Sequence, residues 1–487
     1  MQAPPLLYKE VMLLASLDFN QRDLGHGASG TLLHPVVALG MLITIVLMMR
    51  RPRNSVVVPL LICIFLVPRG QEIMLGGAHL YVHLILILAG FILVVKGKFR
   101  IAGGFNSLDK VFIIWACYHV SAMVITNWPS GVGEQVGFLA QALCGYFLLR
   151  YLIRDEEDVA RAAKALATVA LILGLCMLYE RVTLVNLFGT YLGGAPTAPE
   201  IRNGAARAQA AFGHSILAGC FGGTLVPLFV WLWKKKEKVP ALAGLAGSTL
   251  MVLTANSSTP LLAYVAGILG LLLWPVRRSM KVLRWAIVAT LAILAVAMNA
   301  PVWFVIAHIN VVGGSGGYDR AILIDTCIRH FKDWWLFGTN QNGNWGYDMW
   351  DLSDQFVAEA EMGGLVSLVC FIVIIVKCFS RLGTMRKRVK PKQQWLYWCL
   401  GSVMLADIFA YFGVAYWDQT QIWWFAFLAM IVAVTVPTAA SPLTKTAPAA
   451  PAAVILPDME ETEAAATPAG IFAQAGKRLR PWGGPEF

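Results

Sequence analysis

Charge is scarce in this chain. Asp, Glu, Lys and Arg together make up 14% of 487 residues, where soluble domains carry about 25%. That scarcity excludes an ordinary water-soluble enzyme. Cysteine chemistry is thin as well. Of nine cysteines, Cys63, Cys117, Cys144, Cys176, Cys220, Cys370, Cys378 and Cys399 lie within or at the ends of apolar segments, where the residue packs as a small hydrophobe. Only Cys327 is in a long polar loop, so no disulfide framework is expected. No fixed-period repeat is visible. Lys9 and Glu10 interrupt the apolar stretch of the first twenty residues, so a cleavable signal peptide is not evident. His79 and His83 stand at i and i+4 in an apolar segment, a spacing compatible with haem or metal. No second such pair accompanies them, and His119 is the only other mid-segment histidine, so packing or interhelical hydrogen bonding is the preferred reading.

What the chain has instead is apolar length. The set AVILMFWYC reaches 58%, much of it in nearly uncharged blocks of about 18 to 23 residues, enough to cross about 30 Å of hydrocarbon at 1.5 Å per residue. Thirteen spans are expected, at roughly 31–49, 55–68, 73–95, 109–126, 132–152, 160–179, 213–233, 239–256, 258–275, 285–303, 356–378, 394–416 and 419–437. The fold class is all-α, a polytopic membrane bundle of about 12 to 14 transmembrane helices. Residues 1–30 form an N-terminal segment and 31–437 the bundle. The Ala/Pro/Thr-rich stretch 438–487 reads as a disordered cytoplasmic tail.

The net charge of +11 would suggest nucleic acid in a soluble protein. Here the cations cluster between spans and read as topology signals. Arg50/Arg51/Arg53, Lys96/Lys98/Arg100, Arg150/Arg154, Lys234 to Lys238, Arg277/Arg278/Lys281/Arg284 and Arg381 to Lys392 each follow an odd-numbered span, which makes that side cytoplasmic. The short alternate connections hold almost no cations; Arg69 stands alone. Two outward loops are long, 180–212 and 304–355.

Cations in those loops, Arg181, Arg202, Arg207, Arg320, Arg329 and Lys332, are either plain surface residues or a phosphate-binding set, since planar guanidinium groups grip phosphate bidentately. Arg320 and Arg329 are nine residues apart and would point to opposite sides of one straight helix. Asp325 and Arg329 at i and i+4 are spaced for a local ion pair, which favours Arg320 as the ligand and Arg329 as a structural or accessory residue. Trp334, Trp335, Trp345, Tyr347 and Trp350 interleave with Asn340, Gln341, Asn342, Asn344, Asp348 and Asp351. Flat apolar faces mixed with hydrogen-bonding groups suit a pyranose, and an interfacial aromatic belt would also explain the aromatics. Glu134 and Asp407 are acids placed within or near span interiors, where charge is expensive.

The run Arg207-Ala-Gln-Ala-Ala-Phe-Gly-His214, just before the seventh span, resembles the Arg-x-x-Gly-x-Phe-x-His signature of the O-antigen ligase and polymerase superfamily. Asp319-Arg320-Ala-Ile-Leu-Ile is similar to that family's Arg-bearing segment in the second long loop. Asp333-Trp-Trp-Leu-Phe-Gly338 and Glu361-Met-Gly-Gly-Leu365 resemble its next two steps. The likeness covers about 200 to 375 and the layout of spans and loops. It implies a GT-C-like membrane glycosyltransferase that takes an undecaprenyl-diphosphate-linked glycan without metal or other cofactor, with arginines on the diphosphate and a base on the acceptor hydroxyl.

Two departures stand out. Ser257-Ser258-Thr259 replaces a Ser-Arg-Gly at the head of the ninth span. Ser353-Asp354-Gln355 stands where ligases carry His-Asn. The resemblance therefore points to a polysaccharide or O-antigen polymerase in a bacterial inner membrane, moving a lipid-linked glycan onto a glycan acceptor at the periplasmic face. Ligation to a lipid A core is the alternative within the class, and a transporter or flippase of lipid-linked sugars the alternative outside it. Arg207 and Arg320 are the expected diphosphate ligands, with Trp334, Trp335, Trp345 and Trp350 as sugar-binding residues. His214 and Asp354 are the expected catalytic pair. Each has a plainer reading, His214 as an N-terminal helix residue and Asp354 as a helix cap. The partners implied are membrane lipid and glycan, not nucleic acid.

Overall fold

A computed structural model describes residues 30–436 apart from 76–77, 99, 130, 203, 309–315, 347–348 and 350–351. The expected N-terminal segment up to residue 29, the expected tail 438–487 and Trp350 lie outside the described residues.

The described chain is helical except for two short hairpins. In order it runs α1 (Pro35–Arg50), α2 (Arg53–Leu66), β1 (Glu72–Leu75), β2 (Ala78–Tyr81), α3 (Val82–Lys96), α4 (Ser107–Thr126), α5 (Val132–Leu152), α6 (Glu156–Thr183), α7 (Leu187–Tyr191), β3 (Glu200–Arg202), β4 (Ala205–Arg207), α8 (Ser215–Lys234), α9 (Lys238–Thr254), α10 (Ser258–Leu272), α11 (Met280–Ala297), α12 (Gly317–Arg329), α13 (Phe331–Trp334), α14 (Gln355–Arg388), α15 (Gln394–Tyr411) and α16 (Gln419–Thr435). Six of these, α4, α5, α6, α8, α11 and α14, are long and apolar enough to cross a membrane, and α1, α2, α3, α9, α10 and α16 are shorter apolar helices. This is the make-up of a multi-pass membrane protein.

Local chemistry sets the helix starts. Asn106 and Asp109 form a reciprocal capping box on α4, which satisfies backbone donors at the first turn. Asp155 caps α6, and Glu156, Glu157 and Asp158 follow in its first turn, where acids complement the helix dipole. The centre of the bundle is α8 and α16, whose residues are almost all buried. Association of α6 with α9 rests on close backbone approach: a Cβ on Gly174 would lie 2.5 Å from the Gly247 carbonyl oxygen, and one on Gly247 would strike the Ala170 backbone. Small residues at such a crossing let packing supply the attraction that the hydrophobic effect cannot provide between helices in lipid.

Three sequence expectations change. The third span does not begin as helix: Glu72–Leu75 pairs antiparallel with Ala78–Tyr81, Met74 opposite His79. His79 is therefore on a strand, 3.1 Å from Glu72, and does not share a helix face with His83. Glu134 is exposed in the first turn of α5, so it lies at a helix end rather than in an interior. The tenth span starts about five residues early, as α11, and buries none of its residues.

Helix α14 is broken. Gly364 takes φ 67° and ψ −172°, outside any helical region, and the chain turns there. Into the break comes the backbone of 334–339. Leu365 N–H donates to the Trp335 carbonyl at 2.9 Å, and Thr339 N–H to the Glu361 carbonyl at 2.7 Å. Two sequence motifs, Asp333–Gly338 and Glu361–Leu365, thus meet as one structural joint.

Candidate functional site

The ends of several helices and both long loops converge at one end of the bundle. The first loop folds as a β3–β4 hairpin, Glu200 opposite Arg207. Arg207 is 3% exposed, and its Nη1 donates to Glu200 Oε2 at 2.6 Å. The other edge of the guanidinium, Nε and Nη2, is buried without a hydrogen-bond partner among the described residues. An unmet buried donor costs about 1 to 3 kcal/mol, and here two lie on the edge that grips an oxyanion bidentately.

The turn after Arg207 is held from below. Glu180 Oε2 accepts from Ala210 N–H at 2.8 Å and Gln209 N–H at 3.2 Å, and Asn186 Nδ2 donates to the Ala210 carbonyl at 3.0 Å. Gln419 Nε2 donates to the carbonyls of Val67 and Ala211, both at 3.1 Å, tying the head of α16 to the first loop. A Cβ on Gly213 would meet the Trp417 ring at 2.6 Å, so only glycine lets this turn lie flat on Trp417.

His214 caps α8. Its Nδ1 accepts from Ile216 N–H at 3.1 Å, which places the proton of the neutral ring on Nε2 by inference from the network. Burial, and next the nearby Arg207 cation, lowers its pKa to about 4. With Nδ1 occupied and Nε2 carrying hydrogen, His214 is a donor beside Arg207 rather than a base. The expected catalytic role changes accordingly, because the lone pair a base needs is spent on the cap.

The second loop supplies Arg320 from α12. Its Nη2 and Nε donate to the Gly413 carbonyl at 3.0 and 3.3 Å. Gly413 packs on Thr259, whose side chain a Cβ there would strike. On the other flank of the same α9–α10 connection, Ala208 N–H donates to the Thr254 carbonyl at 3.1 Å. Through Ala208 and Gly413, the chain next to Arg207 and the turn that holds Arg320 both meet the 254–259 segment. Arg329 pairs with Asp325 at 2.6 Å and is exposed, as its spacing implies.

Asp354 is fully buried at the N-cap of α14. Its Oδ1 accepts from Phe356 N–H at 2.8 Å and Val357 N–H at 3.0 Å, while Oδ2 has no partner. Burial raises its pKa to about 7, against the two N–H groups and Arg320, which pull it down. Capping and an unused oxygen coexist in one carboxylate.

Of the expected sugar-binding tryptophans, Trp334 is displaced from that role. It is 4% exposed in a small core with Leu323, Cys327 and Val357, and its indole N–H donates to the Cys327 carbonyl at 2.7 Å, which leaves no ring face for a ligand. Trp335 is exposed. Trp345 stacks on His330 with ring centroids 4.9 Å apart and donates to Asp333 at 3.2 Å.

Three polar residues escaped sequence reasoning. Arg69, a lone outward cation, lies over the Trp417 ring at 4.7 Å. Asp418, at φ 60°, is buried against Gly213 and Gln419 N–H, and burial raises its pKa to about 7 with Arg69 opposing. Glu359 sits within α14, accepting from Trp115 at 2.8 Å, Ser367 at 2.6 Å and Gln355 at 2.9 Å, with His119 Nδ1 at 3.1 Å from Ser367. Gln355 also accepts from Tyr416 N–H at 2.5 Å, which connects Asp354's neighbour to the turn that holds Arg320. An acid inside an apolar run was the available signal for Glu359, and Arg69 stood out only as the lone cation of its connection; nothing local marked Asp418.

Among the described residues no cluster of His, Cys, Asp and Glu is arranged to hold a metal. Compared with protein-family models, curated proteins and solved structures, the chain matches none.

Proposed function

We propose that this protein is a membrane glycosyltransferase that moves a glycan from a lipid diphosphate to a glycan acceptor, acting as a polysaccharide or O-antigen polymerase. The apolar helices span the bacterial cytoplasmic membrane in this reading, with the Arg207 end facing the periplasm. The observation that carries it is the Nε/Nη2 edge of Arg207, buried and without a hydrogen-bond partner among the described residues, with the His214 ring close enough to feel the Arg207 charge.

In the reaction so read, the acceptor hydroxyl oxygen bonds to the anomeric carbon as the bond from that carbon to the diphosphate oxygen breaks. The diphosphate leaves with the electron pair, and Arg207 and Arg320 offset its charge. The hydroxyl proton passes to Asp354 Oδ2. A carboxylate poised near the working pH suits that transfer. Preformed cations aimed at a leaving group supply electrostatic stabilisation without reorganisation. Trp335 and Trp345 are the described aromatics left to face sugar.

Two charge-assisted bonds at about 1.5 to 3 kcal/mol each correspond to roughly 10² to 10⁴ in rate. Arg207→Ala should therefore abolish polymer in cells that lack the native gene. Arg207→Lys, which keeps charge but loses the fork, should retain a detectable fraction. Normal polymer from both Arg207→Ala and Arg320→Ala, at wild-type membrane levels, sinks the proposal.

A further inference from the structure

At the far end of the bundle from Arg207, two cation clusters that the sequence separates by about a hundred residues come together. Helix α10 leads away from the 254–259 segment for 15 residues, about 22 Å at 1.5 Å per residue, and ends at the 3-10 turn Trp274–Arg278. Beyond its break at Gly364, helix α14 ends at Arg388. Arg386, in its last turn, is 8% exposed, and its Nη1 is buried without a hydrogen-bond partner among the described residues. The guanidinium lies over the Trp398 ring at 5.0 Å. The charges that bear on it are Arg277 and Arg284, both cations.

Among the described residues, neither of those two is paired with an acid. Arg277 Nη1 donates to the Trp274 carbonyl at 3.1 Å and lies over its ring at 4.1 Å, and Arg284 Nε donates to the Met280 carbonyl at 3.2 Å. Trp274 packs edge-on to Trp395 and Trp398, with centroids 4.8 and 5.8 Å apart. Three converging cations with a desolvated, unpartnered N–H are a repulsive arrangement unless an anion sits among them. Tryptophans at the end of an apolar bundle belong at the depth of lipid headgroups, and basic pockets between membrane helices take anionic headgroups.

We propose that Arg277, Arg284 and Arg386, floored by Trp274 and Trp398, bind the phosphate of one anionic phospholipid. The bond is phosphate oxygen to guanidinium, with the acyl chains lying along apolar, outward-facing α11. Glycan transfer is not part of this claim.

The test is native mass spectrometry of the full-length protein titrated with phosphatidylglycerol, phosphatidylcholine or inorganic phosphate in detergent. Wild type should retain one phosphatidylglycerol preferentially, and neither phosphatidylcholine nor free phosphate should compete at equal concentration. Arg386→Gln should weaken that binding about tenfold, and Arg386→Lys by less. Arg284 is exposed, so Arg284→Gln leaves packing intact and should weaken binding several fold if Arg386→Gln fails to fold. Unchanged phosphatidylglycerol binding in Arg284→Gln and in any folded Arg386 variant overturns the site. Displacement of the lipid by inorganic phosphate likewise overturns the phospholipid assignment.

Discussion

At the scale of single residues, Asp354 is a helix cap with a carboxylate oxygen to spare. One oxygen caps α14 and the other is unpartnered. Its carboxyl titrates near 7 in the fold and near 3.9 in an unfolded chain. The folded state therefore prefers the protonated form, and the stability this confers is complete below about pH 4 and lost as pH rises to about 7. Asn caps well and has no charge to bury. Asp354→Asn should thus gain thermal stability relative to wild type as pH rises from 4 to 7, read as unfolding midpoints of the purified proteins. Its glycan transfer should fall by about 10² to 10⁴, whereas wild-type transfer should climb through about pH 7 as the base deprotonates. Transfer by Asp354→Asn within a few fold of wild type removes the base, and a flat midpoint difference removes the shifted carboxyl.

Among elements, the joint between the second loop and α14 is the feature that shapes the site. Gly338 and Gly364 both have positive φ, and a Cβ at either would strike backbone, the Glu361 carbonyl for Gly338 and the Leu336 carbonyl for Gly364. Left-handed backbone costs a non-glycine residue roughly 1 to 2 kcal/mol, and a backbone clash adds to it. Gly383 lies on the same helix with open space around it, where alanine favours helix by about 0.5 to 1 kcal/mol. Gly364→Ala should lower the unfolding midpoint and glycan transfer together, while Gly383→Ala should hold or raise the midpoint. Equal midpoints for the two variants would mean that the break in α14 is not a built feature. The glycine pairs were visible in the sequence as motif letters, but the partner each one admits lies more than twenty residues away.

Over the whole molecule, the alternation of cation clusters assigns each end of the bundle to a side of the membrane. Several cations at the assigned inner end also serve the fold: Arg150 pairs with Asp109 at 3.1 Å in full burial, and Arg53 with Asp158 at 2.7 Å. Orientation is tested by cysteines at Tyr191 and Asn344, both exposed in the two long loops, and at Arg278, exposed at the opposite end. A membrane-impermeant thiol reagent applied to intact cells with permeable outer membranes should label Tyr191→Cys and Asn344→Cys and spare Arg278→Cys. The reverse pattern inverts the topology and removes the periplasmic reading of the site.

The amino-acid sequence by itself determined the helical membrane architecture, because apolar length and charge spacing answer to the thickness and polarity of a bilayer and require no knowledge of neighbours. It also marked Arg207, Arg320 and Asp354 and the i, i+4 pair of Asp325 with Arg329, whose geometry is local. Tertiary structure alone decided the rest. Trp334 became core rather than a sugar platform because α12 and α14 close over it, and His214 became a donor because the α8 backbone claims its Nδ1. Arg69, Asp418 and Glu359 entered the polar interior through contacts between residues far apart in sequence, and Arg386 met Arg277 and Arg284 only where two distant helices end together. Which lone pair is used and which guanidinium edge is left over follow from packing, and packing joins residues whose separation in sequence carries no record of it.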